Sequence, residues 1–209
     1  MDDTADTKRA LRTRIRCERA LREPERAARD RRILARLVDE LDRRDGAAVA
    51  AVAAFAPLPG EPGGADLPAR LAATGRTVWL PVVVGPGRPL QWTRWRGGAH
   101  TRTGDFGIRE PVPDHGDAPV DTAEVLTRVG TVIVPALAVG RDGARLGQGG
   151  GYYDRTFASP RSGTTSRGRL IAVVDHEEYG LDVPATELDI TVDAVVTDTG
   201  IFPGRHGRR

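Results

Sequence analysis

The residues best suited to chemistry lie in one run, Arg145-Leu-Gly-Gln-Gly-Gly-Gly-Tyr-Tyr-Asp154, with glycines at 147, 149, 150 and 151. Glycine reaches backbone angles closed to other residues, and without a Cβ it lets an anion approach the main-chain amides. The run follows an apolar strand candidate at residues 129–135 and precedes a short helix candidate, an arrangement suited to phosphate. A helix start there would add about 0.3–1 kcal/mol to anion binding. From the glycines alone, a tight turn without a ligand reads equally well. Two familiar glycine motifs are excluded. Tyr152 and Tyr153 stand where a P-loop needs lysine and a hydroxyl residue, and Tyr152 falls on the third glycine of the dinucleotide fingerprint.

Asp154 turns this reading toward a nucleotide. A carboxylate directly after an anion loop repels phosphate unless a cation lies between them, and magnesium is the natural bridge. Asp189 and Asp193, just ahead of Ala194-Val-Val-Thr197, are candidates for a second oxygen ligand, although single aspartates more often serve as turn residues or helix caps. Cys17 is the only cysteine, which excludes an internal disulfide and a zinc site built on several thiolates. His100, His115, His176 and His206 show no close metal-ligand spacing, and no glycine-serine-glycine elbow is present. Metallohydrolase and esterase chemistry are therefore disfavoured.

The elements that must hold these residues alternate in type. Leu11 and Ile15 lie one helical turn apart beside Lys8 and Arg12, also one turn apart, which predicts a first helix with an apolar and a basic strip. Glu23 and Pro24 break it. Ile33, Leu34, Leu37, Val38 and Leu41 then mark a second helix ending at Gly46. Short apolar runs at residues 48–55 and 77–84 read as buried strands joined by a crossover helix at 66–74. Residues 129–135, 170–174 and 194–197 are further strand candidates, so one domain over residues 1–209 with a largely parallel sheet is expected. Residues 85–116 show no sustained periodicity, and the polar stretch 159–169 reads as a loop.

Charge names no partner by itself, because 31 basic residues face 29 acidic ones for a net +2. Arg12, Arg14, Arg16, Arg19 and Arg22 crowd the first segment, and Arg205, Arg208 and Arg209 sit at the other end. Such a face could meet phosphate or nucleic acid, but a solvated helix face is commoner, and no interleaved stacking aromatics support nucleic acid. The segment from Met1 to Asp6 is acidic and polar, and no stretch reaches the roughly 18 apolar residues of a membrane span. A soluble cytoplasmic protein is expected, with loose ends at residues 1–6 and 204–209.

Along nearly its whole length the sequence resembles the 5-formyltetrahydrofolate cyclo-ligase family. The pieces run in family order: Lys8-Arg-Ala-Leu-Arg12, Phe55-Ala-Pro with Glu61, Leu80-Pro-Val, Gly107-Ile-Arg-Glu-Pro111, the glycine loop ending Gly151-Tyr-Tyr-Asp-Arg155, and Val195-Val-Thr. The resemblance implies a three-layer α/β/α sandwich with a largely parallel central sheet. It also implies an ATP- and magnesium-dependent conversion of 5-formyltetrahydrofolate to 5,10-methenyltetrahydrofolate by a monomer, needing neither nucleic acid nor membrane. In that reaction the formyl oxygen is phosphorylated, the neighbouring nitrogen closes the ring, and ADP and phosphate leave. No protein nucleophile is needed, so catalysis rests on positioning and on neutralising charge along the transferring phosphoryl.

Carried over by position, Lys8 and Arg145 resemble the family's catalytic cations. The resemblance implies ATP contacts at Lys8, Arg9, Ala10, Leu11 and Arg12, and again at Arg145, Leu146, Gly147, Gln148, Gly149, Gly150, Gly151, Tyr152 and Tyr153. Glu61 resembles the pterin-binding carboxylate, since an aminopyrimidine edge offers adjacent donors to a carboxylate. Ala56, Phe106, Gln148 and Tyr152 complete the implied substrate contacts, and Asp154 and Asp189 the implied magnesium ligands. Arg14, Arg16, Arg19 and Arg22 are expected to remain surface charges. Gln148 departs from the tyrosine or arginine common at its position, and Leu188 from a histidine. Three other readings compete: an ATP-dependent enzyme of this fold acting on another acceptor, a basic nucleic-acid-binding module, and a ligand-binding protein that retains the loop without catalysis.

Overall fold

The computed structural model describes residues 3–45, 51–98, 101–104, 109–112, 118–157 and 168–204. Two long helices, α1 (Asp3–Leu21) and α2 (Arg26–Asp45), are separated by a 3-10 turn at Glu23–Glu25. Pro24 sits in the first turn of that element, where its missing N–H costs nothing. α1 begins within the stretch read as a loose end, and at the other end the Gly204 amide still donates to the Asp193 carbonyl at 3.0 Å.

Seven strands form one sheet: β1 (Ala51–Ala53), β2 (Thr77–Val82), β3 (Gln91–Arg94), β6 (Thr131–Pro135), β9 (Arg169–Val173), β10 (Ala194–Val196) and β11 (Ile201–Pro203), in the order β11-β10-β9-β6-β1-β2-β3. From β10 to β2 the pairing is parallel, while β3 and β11 close the two edges antiparallel. Short pairs β4 (Thr101–Thr103) with β5 (Arg109–Pro111) and β7 (Ala138–Val139) with β8 (Arg145–Leu146) lie outside this sheet. Helices α3 (Leu67–Ala72), α4 (Thr122–Leu126) and α5 (Tyr152–Phe157) join the strands.

Apolar residues on alternate strand positions serve two faces. Val52, Ile133, Ile171 and Val196 pack with Ile33, Leu37 and Leu41 of α2 and Leu67 and Leu71 of α3. Val132, Val134, Ala172 and Val195 pack on the other face with Val125 of α4, Trp92 and the half-buried Phe157 of α5. Because both faces are covered, the strands read as continuous apolar runs, which is why all five parallel strands were visible in the sequence. The three-layer sandwich is therefore present, with its mainly parallel sheet in the middle. The edge strands were not foreseen: β3 is a polar-aromatic run, Gln-Trp-Thr-Arg, and β11 carries a proline.

The expectation for Arg19 and Arg22 is corrected. Arg19 is 7 % exposed and clamps Glu178, Nε to Oε1 and Nη2 to Oε2, both at 2.8 Å, while Arg22 reaches Glu178 at 2.7 Å. Arg26 holds Asp175 in the same two-pronged way, at 2.9 and 2.7 Å. Asp175 and Glu178 are wholly buried at the end of β9, where they cap the 3-10 turn His176–Glu178. Planar guanidinium forks suit such burial, since each carboxylate oxygen finds a matching N–H. Periodicity placed these arginines beside solvent because it could not see the carboxylates approaching from the sheet. Arg14 does stay at the surface, near Glu18.

Removing one partner of this network strands the others. Asp175→Ala is expected to lower unfolding free energy by about 3–5 kcal/mol in chemical denaturation, against less than about 0.5 kcal/mol for Arg14→Ala. At its exposed rim, hydrogen bonds from Arg29 hold the Glu177 carboxyl down at about 2, against an ordinary 4.5. Stability from that depressed group is present above the ordinary value and lost as pH falls through about 2. Glu177→Gln should accordingly flatten part of the acid limb of a stability-versus-pH curve.

Candidate active site

The strand order reverses between β1 and β6: the chain runs outward from β1 to β2 and β3, then returns to β6 on the opposite side. Open α/β sheets bind ligands at the strand ends beside such a switch point, because the diverging connections leave a crevice. Here the connection after β1 carries Glu61, and the one after β6 carries the glycine loop. Both border one cavity of about 140 Å3, whose lining includes Ala56, Glu61, Arg145, Gly147 through Gly151, Tyr152, Tyr153 and Asp154.

The β7–β8 hairpin fixes Arg145 within what the sequence suggested was all loop. Its side chain is buried, donating from Nη1 to the Pro135 carbonyl at 3.0 Å and from Nη2 to Asp154 Oδ1 at 2.9 Å. Its buried Nε has no hydrogen-bond partner. The guanidinium carbon also stands 5.5 Å from the centre of the Tyr153 ring, and burial pushes the Tyr153 phenol up. A Cβ at Gly147 would meet Arg145 Nη1 at 2.9 Å and press on the guanidinium that Pro135 and Asp154 hold. Gly151 is required by conformation, with φ of +66° at the entry to α5.

α1 lies against this loop. Arg12 Nε donates to the Gly147 carbonyl at 2.9 Å, and Arg16 Nη2 donates to Gln148 Oε1 at 2.8 Å. Lys8 forms a 2.6 Å ion pair with Asp189. Burial works against the charge of Asp189, but hydrogen bonds from Lys8 and Thr186 hold its carboxyl below the ordinary value. Burial and neighbouring Arg16 lower the Arg12 guanidinium, opposed by the charges of Asp189 and Asp154. Asp154 also accepts from the Ile190 amide at 3.4 Å, next in sequence to Asp189.

Lys8, Arg12, Arg145, the glycine loop, Asp154, Asp189, Ala56, Glu61 and Tyr152 are therefore brought to one end of the sheet. Leu11 and Leu146 instead join the apolar cluster with Ile15 and Leu137 that seats α1. Arg9 and Ala10 are exposed, Arg9 pairing with Asp6 at 3.0 Å. Phe106 lies outside the described residues. Two further residues border the site. Arg16, one turn beyond Arg12, is exposed, as expected of a surface charge, and still reaches the loop because it continues the same strip. Glu110, in the Gly107-Ile-Arg-Glu-Pro111 motif, is 2 % exposed on the cavity wall and accepts from the Val83 amide at 3.2 Å.

A family model described as the 5-formyltetrahydrofolate cyclo-ligase family matches residues 4–198, almost the entire described chain. This chain belongs to that family. A 5-formyltetrahydrofolate cyclo-ligase of Mycolicibacterium smegmatis is 38% identical over 150 residues, spanning 70% of this chain and 72% of the relative. The solution structure of the Aquifex aeolicus 5,10-methenyltetrahydrofolate synthetase superposes with a TM-score of 0.70 at 26% identity, covering 97% of this chain and 95% of the other. The Mycoplasma pneumoniae 5,10-methenyltetrahydrofolate synthetase shares the fold, with a TM-score of 0.68 at 21% identity over 95% of this chain and 99% of its own.

Membership leaves the loop geometry open to a direct check. In Gly151→Ala the new methyl would occupy a left-handed conformation, 2.5 Å from Arg155 Nη1. We expect a loss of about 1–3 kcal/mol, read as a lower unfolding midpoint in a thermal melt.

Proposed function

We propose that this chain converts 5-formyltetrahydrofolate to 5,10-methenyltetrahydrofolate using ATP and magnesium, releasing ADP and phosphate. The observation that carries the reading is the meeting of Glu61 with the glycine loop at one cavity, because the reaction needs a folate and a triphosphate in contact. Family membership and the relatives' names support the substrate.

The residues fit a nucleotide with its metal. Gly147, Gly149, Gly150 and Gly151 leave backbone open to phosphate oxygens, and Lys8, Arg12 and Arg145 bring three cations to the same end. The unpartnered Nε of Arg145 is a further donor in this wall. Magnesium is held through one or two carboxylates with phosphate and water completing its shell, and Asp154 and Asp189 are such a pair. No group of three or more potential metal-binding side chains occurs among the described residues. Bound there, the metal would neutralise charge on the transferring phosphoryl group.

Each protein group then has a physical task. Lys8 and Arg145 are paired with Asp189 and Asp154; with a nucleotide and its metal bound, the two cations would hold phosphate oxygens and the two carboxylates would hold the metal. Glu61 accepts from the amino edge of the pterin and so orients the formyl oxygen toward the loop. Tyr153 and the cavity's apolar wall, Phe55, Pro81 and Leu90, exclude water from an activated group that water would destroy. A soluble, cytoplasmic, monomeric enzyme that binds no nucleic acid completes the reading; no helix among the described residues is long and apolar enough to cross a membrane.

The test combines protein, ATP, magnesium and 5-formyltetrahydrofolate, following methenyl absorbance. Turnover is expected, and its absence with folded protein would overturn the proposal. Glu61→Ala should lower kcat/KM by about 10- to 150-fold, the range for a lost charged hydrogen bond. Lys8→Ala should lower kcat more than it raises the KM for folate, whereas unchanged turnover in either variant would remove that residue from the site.

A further inference from the structure

The cavity beside Glu61 measures about 140 Å3, whereas pockets for small organic ligands span about 300–1,000 Å3. That volume is small for a ring system with its side arm. Glu61 is only 7 % exposed, and both of its oxygens are engaged. Oε2 accepts from the Leu58 amide at 2.9 Å, and Oε1 accepts from Gln148 Nε2 at 2.8 Å. No lysine or arginine among the described residues pairs with it. Gln148, by contrast, is exposed on the loop, between Gly147 and Gly149.

The carboxamide of Gln148 is held at both ends. Its oxygen accepts from Arg16 Nη2 at 2.8 Å, and the same nitrogen lies 3.3 Å from the Gln148 carbonyl oxygen. An amide N–H donating to a carboxylate is the same pairing that an amino-substituted heterocycle would make with Glu61. We infer that Gln148 is an internal placeholder: its carboxamide occupies the substrate-binding oxygen of Glu61, and the substrate's amino edge must displace it to enter. Arg16, through its bond to the carboxamide, sets how firmly the placeholder is seated. This rests on the folate reading of the site, and it replaces the expectation that Gln148 simply adds a contact to bound substrate.

The placement has a chemical rationale. A buried carboxylate with an empty acceptor loses hydration without compensation, and the placeholder supplies the missing donor while the site is empty. Displacement then exchanges one charged hydrogen bond for another. The glycines on either side remove side-chain anchors that would otherwise resist the swing, and Gly149 already has φ of +110°.

The experiment is equilibrium binding of 5-formyltetrahydrofolate without nucleotide, so that no turnover intervenes. It compares the unmodified protein with Gln148→Ala, Gln148→Met and Arg16→Ala. Methionine keeps much of the bulk but has no donor. Both Gln148 variants should bind about two- to tenfold tighter, the range expected when one net hydrogen bond no longer competes. Arg16→Ala should shift affinity in the same direction, and adding it to Gln148→Ala should change nothing further, because Arg16 acts through that carboxamide. Unchanged or weaker binding in both Gln148 variants, with the unmodified protein binding folate and forming methenyl product, overturns the placeholder alone. Tighter binding by the alanine variant but not the methionine variant assigns the effect to bulk and overturns it as well. A protein that neither binds folate nor forms product overturns the placeholder together with the folate reading.

Discussion

The site depends on the buried arginine–carboxylate network that docks the helical N-terminal segment onto the ends of β9 and β10. Arg19 on α1, Arg22 just beyond its end and Arg26 at the start of α2 converge on Asp175 and Glu178, two carboxylates with no exposure to solvent. Removing such charges from water is costly, and only near-complete pairing in good geometry offsets that cost. The arrangement therefore tolerates little sliding of α1. That constraint fixes the angle at which Lys8, Arg12 and Arg16, further along the same helix, meet the glycine loop. The network also extends toward Glu61: Arg26 donates to Asp30 Oδ1 at 2.9 Å, and the same oxygen accepts from the Gly63 amide at 3.0 Å, two residues beyond Glu61.

Around the cavity, charge is held in reserve as neutral pairs. Lys8 with Asp189 and Arg145 with Asp154 each combine a cation suited to phosphate with a carboxylate suited to a metal. In the proposed reading, a metal–polyphosphate separates both pairs without changing their total charge. The groups that would contact the transferring phosphoryl thus stay near their working positions before it arrives, which reduces the reorganisation required at the moment of reaction.

Much of this was legible in the sequence, for reasons that also mark where legibility stopped. Parallel strands such as Thr131–Pro135 are buried on both faces and stand out as apolar runs, and the glycines at 147, 149, 150 and 151 announce a backbone used for contact. Partnerships between distant polar residues leave no such trace. Arg19 and Arg14 look alike in composition and local context, yet one is buried against Glu178 and the other faces water. The short hairpin holding Arg145 has strands of two residues each, too brief for any periodicity. Gln148 could be placed on the loop from the sequence, but that its side chain turns toward Glu61 is a property of the folded loop alone.

The Lys8–Asp189 pair joins residues 181 positions apart. Everything between the two residues must be made before that contact can close, so α1 exists well before Asp189 does. Until then its basic strip has none of its carboxylate partners from beyond β9. Closing so large a loop costs only slightly more entropy than closing a modest one, since the cost grows with the logarithm of length. What is delayed is timing. The docking of α1 is a late, long-range event in a chain whose α2–β1–α3–β2 portion can associate earlier, so a prematurely ended polypeptide would leave Lys8 without Asp189 however well that portion had folded.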